Sequence, residues 1–401
     1  MKQLKIAIFV AKFDPTFKNP WLTDELCQAI DGQGHTVDVF FLDWYREFTA
    51  GSVITHGNTT VHIVAPVAGK SGVVSKMLHW ALSSFNVSKY YRSRFRPDDH
   101  DVLICFSPSV MFGIALLRLK SWFKHRFLIQ WDFFPYHQEQ IGLIPFRWIT
   151  RVGALLESKF LSTFTFIGCM SPRNVAYLKQ NYSIASTVQS GVVPLWAKIR
   201  DQPIIDKAEV RKRFGLPLNM PIAVFGGQIA PGRGIEDVVL AAELAAITSA
   251  PIHFLFVGKG PKLEWLLERA NSNTCNFTVL PHVPRDQYLE LISCCDAGIV
   301  ATVRDVDVPT FPSKTLDYCC VGLPIIASVE RSTDYGEIVS AAGSGLCCEA
   351  GDSADMLQLC LKLFKDEQTR RVMSVNSRNF YMKNFDVQKI TSDLLLMVKD
   401  A

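Results

Sequence analysis

The sequence predicts an α/β protein made of two doubly wound, mostly parallel sheets in tandem. Three observations point there. Short apolar runs alternate with helical patterns along most of the chain, as expected for parallel strands covered by helices. The alternation breaks once, at a polar, proline-bearing stretch near residue 200, and then resumes. A chain of 401 residues with 48% hydrophobic content exceeds one ordinary core and suffices for two.

In the first half, "LKIAIFVA", "TVDVFFL", "TVHIVAP", "DVLICFS", "FLIQW" and "FTFIGCM" read as buried strands. Between several of them lie the helical patterns "LTDELCQAIDGQG", "SKMLHWALSSF" and "ITRVGALLESKFL". The stretch "IRDQPIIDKAEVRKRFGLPLNM" reads as a linker followed by a leading helix. In the second half the strands are "PIAVFGG", "IHFLFVG", "FTVLPHV", "AGIVAT", "PIIAS" and "GLCCEA", with helices such as "EDVVLAAELAA", "KLEWLLERA" and "RDQYLELISCC". The expected domains are residues 1–200 and 201–385, each Rossmann-like. The last helix, about 386–401, is expected to pack back on the first domain. Ligands of such sheets bind outside the carboxyl ends of the strands, so two such domains are expected to face each other across a cleft.

Composition excludes several classes. No stretch is long and apolar enough to suggest a spanning helix. The start reads as a buried strand and not as a signal peptide. Eleven cysteines include the adjacent pairs Cys294-Cys295, Cys319-Cys320 and Cys347-Cys348, which fit neither a zinc pattern nor a disulfide framework. They are expected as small buried residues in a reducing cytoplasm. Residues 1–200 hold 22 Lys and Arg against 13 Asp and Glu, and the remainder 20 against 25. The basic excess gathers in "SKYYRSRFR" (Ser88–Arg96) and "LLRLKSWFKHRF" (Leu116–Phe127), where it interleaves with aromatics. On a helix this pattern suits an anionic membrane surface; the bland alternative is a solvated basic face. Zinc-finger, RNP and basic-zipper spacings are all missing, so nucleic acid is not the expected partner.

The motifs lie at strand ends of the second half. "VFGGQIAPGRGIEDVV" carries a glycine turn after a strand, where Gly227 lets backbone approach a ligand and Arg233 opens the next helix. "FVGKGPKLEWLL" has half a dinucleotide fingerprint, with Lys262 or Leu263 where the third glycine belongs. "VLPHVPRDQ" puts His282 at the tip of a polar turn. In "VPTFPSKTLDYCCVGLPIIAS", Ser313, Lys314 and Thr315 open a helix, and Asp317 follows a turn later. A helix start with a lysine suits phosphate, and the acid suits a sugar hydroxyl. The bland reading makes Lys314 a solvated lysine and Asp317 a surface acid.

In this order the pieces resemble the C-terminal domain of retaining family-four glycosyltransferases with the GT-B fold. The likeness covers about residues 220–385, and "GQGHTVDVF" is similar to the family's glycine-histidine strand start. "PSK…DY…G-x-P" is similar to a subgroup that builds bacterial surface polysaccharide. The sequence departs from the family: Gln228 and Arg233 replace its basic pair, Pro309 stands where its first glutamate would fall, and Asp317 takes the place of the second. The resemblance implies transfer of a sugar from a nucleotide-sugar donor to a lipid-linked glycan acceptor, with retention of configuration. It implies cytoplasmic work, peripheral on the inner face of the membrane. A GT-B epimerase and a silent sugar-nucleotide-binding protein are the alternatives.

In the first half, "FLIQWDFFPYHQEQIGLIP" places Asp132, His137 and Glu139 in a loop after a strand end. Its position resembles the family loop that sets a histidine or an acid beside the reacting sugar, so Asp132 and His137 are the catalytic candidates. The loop "AKFDPTFKNPW" offers Asn19 and, more weakly, Lys18 near the donor phosphates. Arg233, Lys314 and the N–H groups opening the Ser313 helix are expected to neutralise the leaving diphosphate. No cofactor and no essential divalent cation are expected, since "DVD" (Asp305–Asp307) reads as a loop.

Overall fold

The computed structural model describes residues 3–18, 20–67, 73–271 and 276–398. By contacts between Cα atoms the chain divides into two compact units, Met1–Lys198 with Val387–Ala401, and Ile199–Asp386.

The first unit is an eight-stranded sheet. Its strands are β1 (Lys5–Val10), β2 (Thr36–Leu42), β3 (Val53–His56), β4 (Thr59–Val64), β5 (Val102–Phe106), β6 (His125–Gln130), β7 (Phe166–Cys169) and β8 (Gln189–Val192). Their spatial order is β3-β4-β2-β1-β5-β6-β7-β8, and all neighbours are parallel except β3 against β4. The central strands read as unbroken apolar runs because helices cover both faces, which leaves no solvent side to mark with polar residues. The edges β3 and β8 are short and mostly exposed, and the sequence reading missed both. The helix Val387–Leu396 packs on the helix Leu22–Gly32, where Gln33 Nε2 donates to the Gln388 carbonyl at 2.9 Å.

The second unit holds β9 (Ile222–Gln228), β10 (His253–Lys259), β11 (Phe277–Pro281), β12 (Ala297–Ala301), β13 (Ile325–Val329) and β14 (Gly345–Glu349). They run β11-β10-β9-β12-β13-β14, all parallel. This is the doubly wound order with the chain reversing direction between β9 and β12, the position where such sheets bind ligands. The helices Ile235–Ile247 and Ser353–Lys365 pack on one face, and Ala, Val, Ile and Phe side chains fill the space beneath them. Asp206 caps the leading helix Lys207–Arg213 by accepting from Ala208 N and Glu209 N, satisfying two free N–H groups of its first turn.

The basic-aromatic runs differ from their reading. Ser88–Arg96 ends the helix Val73–Arg92, and Leu116–Phe127 is not one helix but a helix end, a short turn and the start of β6. Half of their aromatics point inward: Tyr91, Phe123 and Phe127 are buried, with the Tyr91 hydroxyl 2.8 Å from His100 Nδ1, while Tyr90, Phe95 and Trp122 are half-buried. Arg126 is spent on the Thr163, Lys120 and Phe123 carbonyls. The buried rings belong to the core because β1, β2 and β5 need large residues on the face that the helix covers. No helix among the described residues is long and apolar enough to cross a membrane.

Candidate active site

The second domain gathers its polar groups where β9 ends. The chain leaves the sheet through Gly226, Gly227 and Gln228 and turns at Gly234 into the helix Ile235–Ile247. Gly227 has φ +111°, and a Cβ on Gly258 in the neighbouring strand would run into the Gly227 carbonyl. Glycine is required here because two backbones meet face to face.

The helix Lys314–Cys320 is pinned beside this turn by Tyr318. Its buried hydroxyl accepts from Gly226 N at 2.9 Å and lies 3.1 Å from the Val224 carbonyl and 3.3 Å from that of Ile299. That fixes where Lys314 points. Its ammonium lies 3.4 Å above the centre of the Phe225 ring, buried, with no hydrogen-bond partner among the described residues. Burial, then the charge of Arg233, holds its pKa well below the usual lysine range. Arg233 Nη2 donates to Gln228 Oε1 at 3.3 Å. The sequence reading thus brings Gly227, Arg233 and Lys314 to one place, and the turn residue Gln228 supports them. The Lys314 nitrogen is buried and faces the charge of exposed Arg233, so an anion bound there would offset both causes of the shift.

Other candidates fall out differently. Thr315 is buried, its hydroxyl 2.7 Å from both the Pro312 carbonyl and the Tyr335 hydroxyl, so it fastens the turn instead of facing a ligand. The N–H groups of Thr315 and Leu316 are already spent on the Pro312 and Ser313 carbonyls, which removes them as phosphate donors. Ser313 is exposed and makes no capping bond with its side chain. His282 is exposed in the turn after β11. Asp317, expected on a sugar hydroxyl alone, has its Oδ1 2.5 Å from Arg285 Nη2. Asp305 and Asp307 belong to no metal-holding group of three or more His, Cys, Asp or Glu among the described residues.

Sequence reasoning missed Glu330. It is buried just beyond β13 and accepts from the Thr302 hydroxyl and from Thr310 N (3.0 Å) and Oγ1 (2.8 Å). It ties down the loop that contains Pro309, where the family's first glutamate is lacking. The signal was an acid directly after an apolar strand.

In the first domain, β6 ends at Gln130 and Asp132 follows. Ser107 Oγ accepts from Trp131 N (2.9 Å) and Asp132 N (3.0 Å), fixing the loop against the end of β5. Asp132 Oδ2 accepts from Gln138 Nε2 at 2.6 Å, and Oδ1 lies 3.5 Å from His137 Nδ1. The two catalytic candidates therefore form a pair. A carboxylate at Nδ1 favours the tautomer with its proton there and leaves Nε2 to meet a substrate hydroxyl. Glu139 lies on the same short helix, Tyr136–Gln140.

Beneath this loop sits Glu157, which the sequence did not single out. It is fully buried and accepts from Ser109 N and Val110 N, each at 2.8 Å. Burial, reinforced by the charge of Asp132, pushes its carboxyl up to about 7 against the pull of those N–H groups. In the loop after β1, Asp24 accepts from Asp14 N (2.7 Å) and Trp21 N (2.9 Å), and burial raises it to about 6. Lys18 N lies 3.4 Å from Thr16 Oγ1 in that loop. Asn19 lies outside the described residues.

Comparison with known proteins shows what these features are similar to. Residues 206–380 match the family described as glycosyl transferases group 1. The chain is 24% identical over 187 residues to the N-acetyl-alpha-D-glucosaminyl L-malate synthase of Bacillus anthracis, spanning 47% of each protein, about half of that relative's length. It is 26% identical over 376 residues to the putative colanic acid biosynthesis glycosyl transferase WcaI of Escherichia coli strain K12, covering 86% of this chain and 88% of the relative. The structure of Anabaena Alr3699/HepE in complex with UDP-glucose superposes with a TM-score of 0.71 at 13% identity, over 100% of both chains. The fold is GT-B, two Rossmann-like domains. The match to group 1 glycosyl transferases falls within the second domain, and one relative is named for colanic acid biosynthesis.

Proposed function

We propose that this protein transfers a sugar from a nucleoside-diphosphate sugar to a lipid-linked glycan acceptor, with retention of configuration, at the cytoplasmic face of a membrane. The observation that carries the donor half is Lys314, a buried cation beside Arg233 at the reversal point of the second sheet. A departing diphosphate gathers negative charge, and a preorganised pair of cations stabilises it most where water is excluded. The solved relative with UDP-glucose bound supports that donor class. WcaI, named for colanic acid biosynthesis, supports a glycan acceptor.

The residues divide the work. Lys314 and Arg233 take the diphosphate, Gly227 lets the backbone approach it, and Asp317 with Arg285 takes the nucleoside side. The Asp132–His137 pair attends the transferred sugar. For retention, the acceptor oxygen attacks the face that the diphosphate leaves. The C1–O bond to the diphosphate breaks as the new C1–O bond forms, and the acceptor's proton passes to a diphosphate oxygen. None of these steps calls for a cofactor or a bound cation.

Incubation with a panel of nucleotide sugars and lipid-linked acceptors tests the reading. Diphosphate released only when acceptor is present, with an unchanged anomeric coupling in the product, is expected. Sugar interconversion without acceptor would make it an epimerase, and tight binding without turnover a silent binder.

A further inference from the structure

The first domain has a cavity of about 630 Å³ that the transfer machinery above does not use. Its walls are the short helix that carries His137 and the first turn of the helix Arg147–Leu161. Tyr136 and Glu139 line one side; Arg147, Thr150 and Arg151 line the other. The two arginines are exposed, four residues apart on one helix face, with no ion-pair partner among the described residues. Thr150 is 3% exposed, and its hydroxyl has no hydrogen-bond partner among the described residues. A buried hydroxyl and two guanidinium groups on one wall suit a phosphate, because arginine matches its oxygens two at a time. Glu139 opposite suits the hydroxyls of a sugar attached to that phosphate.

Next to the arginines the helix turns apolar residues to solvent. Trp148, Val152 and Leu155 follow at steps of four and three, one face of a helix, and are 59%, 46% and 72% exposed. Leu143 and Phe146 extend the patch before the helix starts. An exposed aromatic and aliphatic stripe beside arginines is the composition of a surface that lies in a lipid headgroup layer.

We infer that this cavity holds the phosphate of a lipid-linked sugar while Phe146, Trp148, Val152 and Leu155 rest in the membrane that carries it. The inference rests on the functional reading above and gives the acceptor a place in the first domain. It also places a membrane contact outside Ser88–Arg96 and Leu116–Phe127, of which Tyr91, Phe123 and Phe127 are in the core.

The test uses the full chain with phosphatidylcholine vesicles, with and without phosphatidic acid as a lipid phosphate, and measures UDP binding in parallel. Co-sedimentation should need phosphatidic acid and fall about tenfold or more in Arg147→Ala/Arg151→Ala. Trp148→Ser/Leu155→Ser should weaken it as well, and neither pair should change UDP binding. Vesicle binding that ignores both pairs overturns the inference. So does equal binding to phosphatidylglycerol vesicles that Arg147→Ala/Arg151→Ala leaves intact, since bulk charge then suffices. Inorganic phosphate that occupies the site with no vesicle binding overturns it too, in favour of a soluble anion. In each of these cases binding of UDP or another nucleoside diphosphate by the wild type keeps the functional reading standing; failure to bind any of them sinks that reading instead.

Discussion

The two domains share a six-strand parallel core, to which the first adds the edges β3 and β8, and each buries an ionisable group of opposite sign at the carboxyl end of its sheet. The first domain, basic overall, buries the Glu157 carboxyl against the N–H groups that follow β5. The second, acidic overall, buries the Lys314 ammonium over Phe225 where β9 ends. Net charge therefore says nothing about the charge each domain keeps inside. A buried charge costs stability unless something offsets it. Glu157 is offset by two backbone donors within its own domain. Lys314 has a ring face and no hydrogen-bond partner among the described residues, and its pKa falls instead. That difference is what an anion bound beside Lys314 would remove.

The sharpest way to break the comparison is Lys314→Met. If Lys314 serves a ligand, turnover with a nucleotide-sugar donor falls by roughly 10²–10³-fold. Stability without ligand holds or rises, because an uncompensated buried cation has been removed. Urea unfolding alongside kinetics reads both. A variant that unfolds more easily would make Lys314 a structural residue and the contrast false.

Glu157 makes the opposite prediction about pH. Its carboxyl titrates near 7 in the folded chain and at 4.5 as a free side chain. The stability it contributes is thus present below pH 4.5 and is lost as pH rises through about 7, up to ~3 kcal/mol for a shift of that size. Glu157→Gln has no such titration. Asp24 drifts in the same window in both proteins and cancels in the difference. Melting temperatures of wild type and variant across this range should converge or cross as pH rises. Parallel curves would show that Glu157 does not change protonation there.

How these groups were read from sequence follows from the same physics. Lys314 was legible because a lysine at a strand–helix junction has few structural reasons to be there. Asp132 and His137 were singled out because loops after strand ends carry chemistry, and the structure sets them 3.5 Å apart. Glu157 was not: in "ALLESKFL" it looks like the polar side of an amphipathic helix, and only the fold reveals that this side faces Ser109. The helix around Trp148, Val152 and Leu155 is apolar on most sides, so its pattern could not say which face the core takes. Edge strands β3 and β8 lack the apolar run that marks a covered strand. Tyr318 was not singled out in the sequence, although its hydroxyl fixes the turn after β9.

Tyr318→Phe sharpens the comparison at a neutral group. The ring stays packed, while Gly226 N loses its acceptor in a buried place. An orphaned buried donor costs about 1–3 kcal/mol. The loss should appear in the unfolding of the second domain, and donor affinity should weaken with it, because the helix that presents Lys314 is no longer pinned. An unchanged unfolding midpoint would mean that Gly226 N finds another partner.

The smallest effect expected is at Asp317, and it asks whether the second domain's exposed ion pair behaves like its buried cation. Arg285 is 41% exposed and Asp317 17%. Pairs this open to water contribute less than about 1 kcal/mol to stability, so Asp317→Asn should leave the unfolding curve nearly in place. Its effect belongs to binding. If one carboxylate oxygen is held by Arg285 and the other meets a hydroxyl of the nucleoside, the amide weakens that contact by about tenfold in affinity. It should also spare the salt dependence, which Lys314 and Arg233 set through the diphosphate. Isothermal titration with UDP at two ionic strengths separates the terms. Equal affinity for wild type and variant would confine Asp317 to its partnership with Arg285. The recognition of the nucleoside would then fall to other groups at the end of β9.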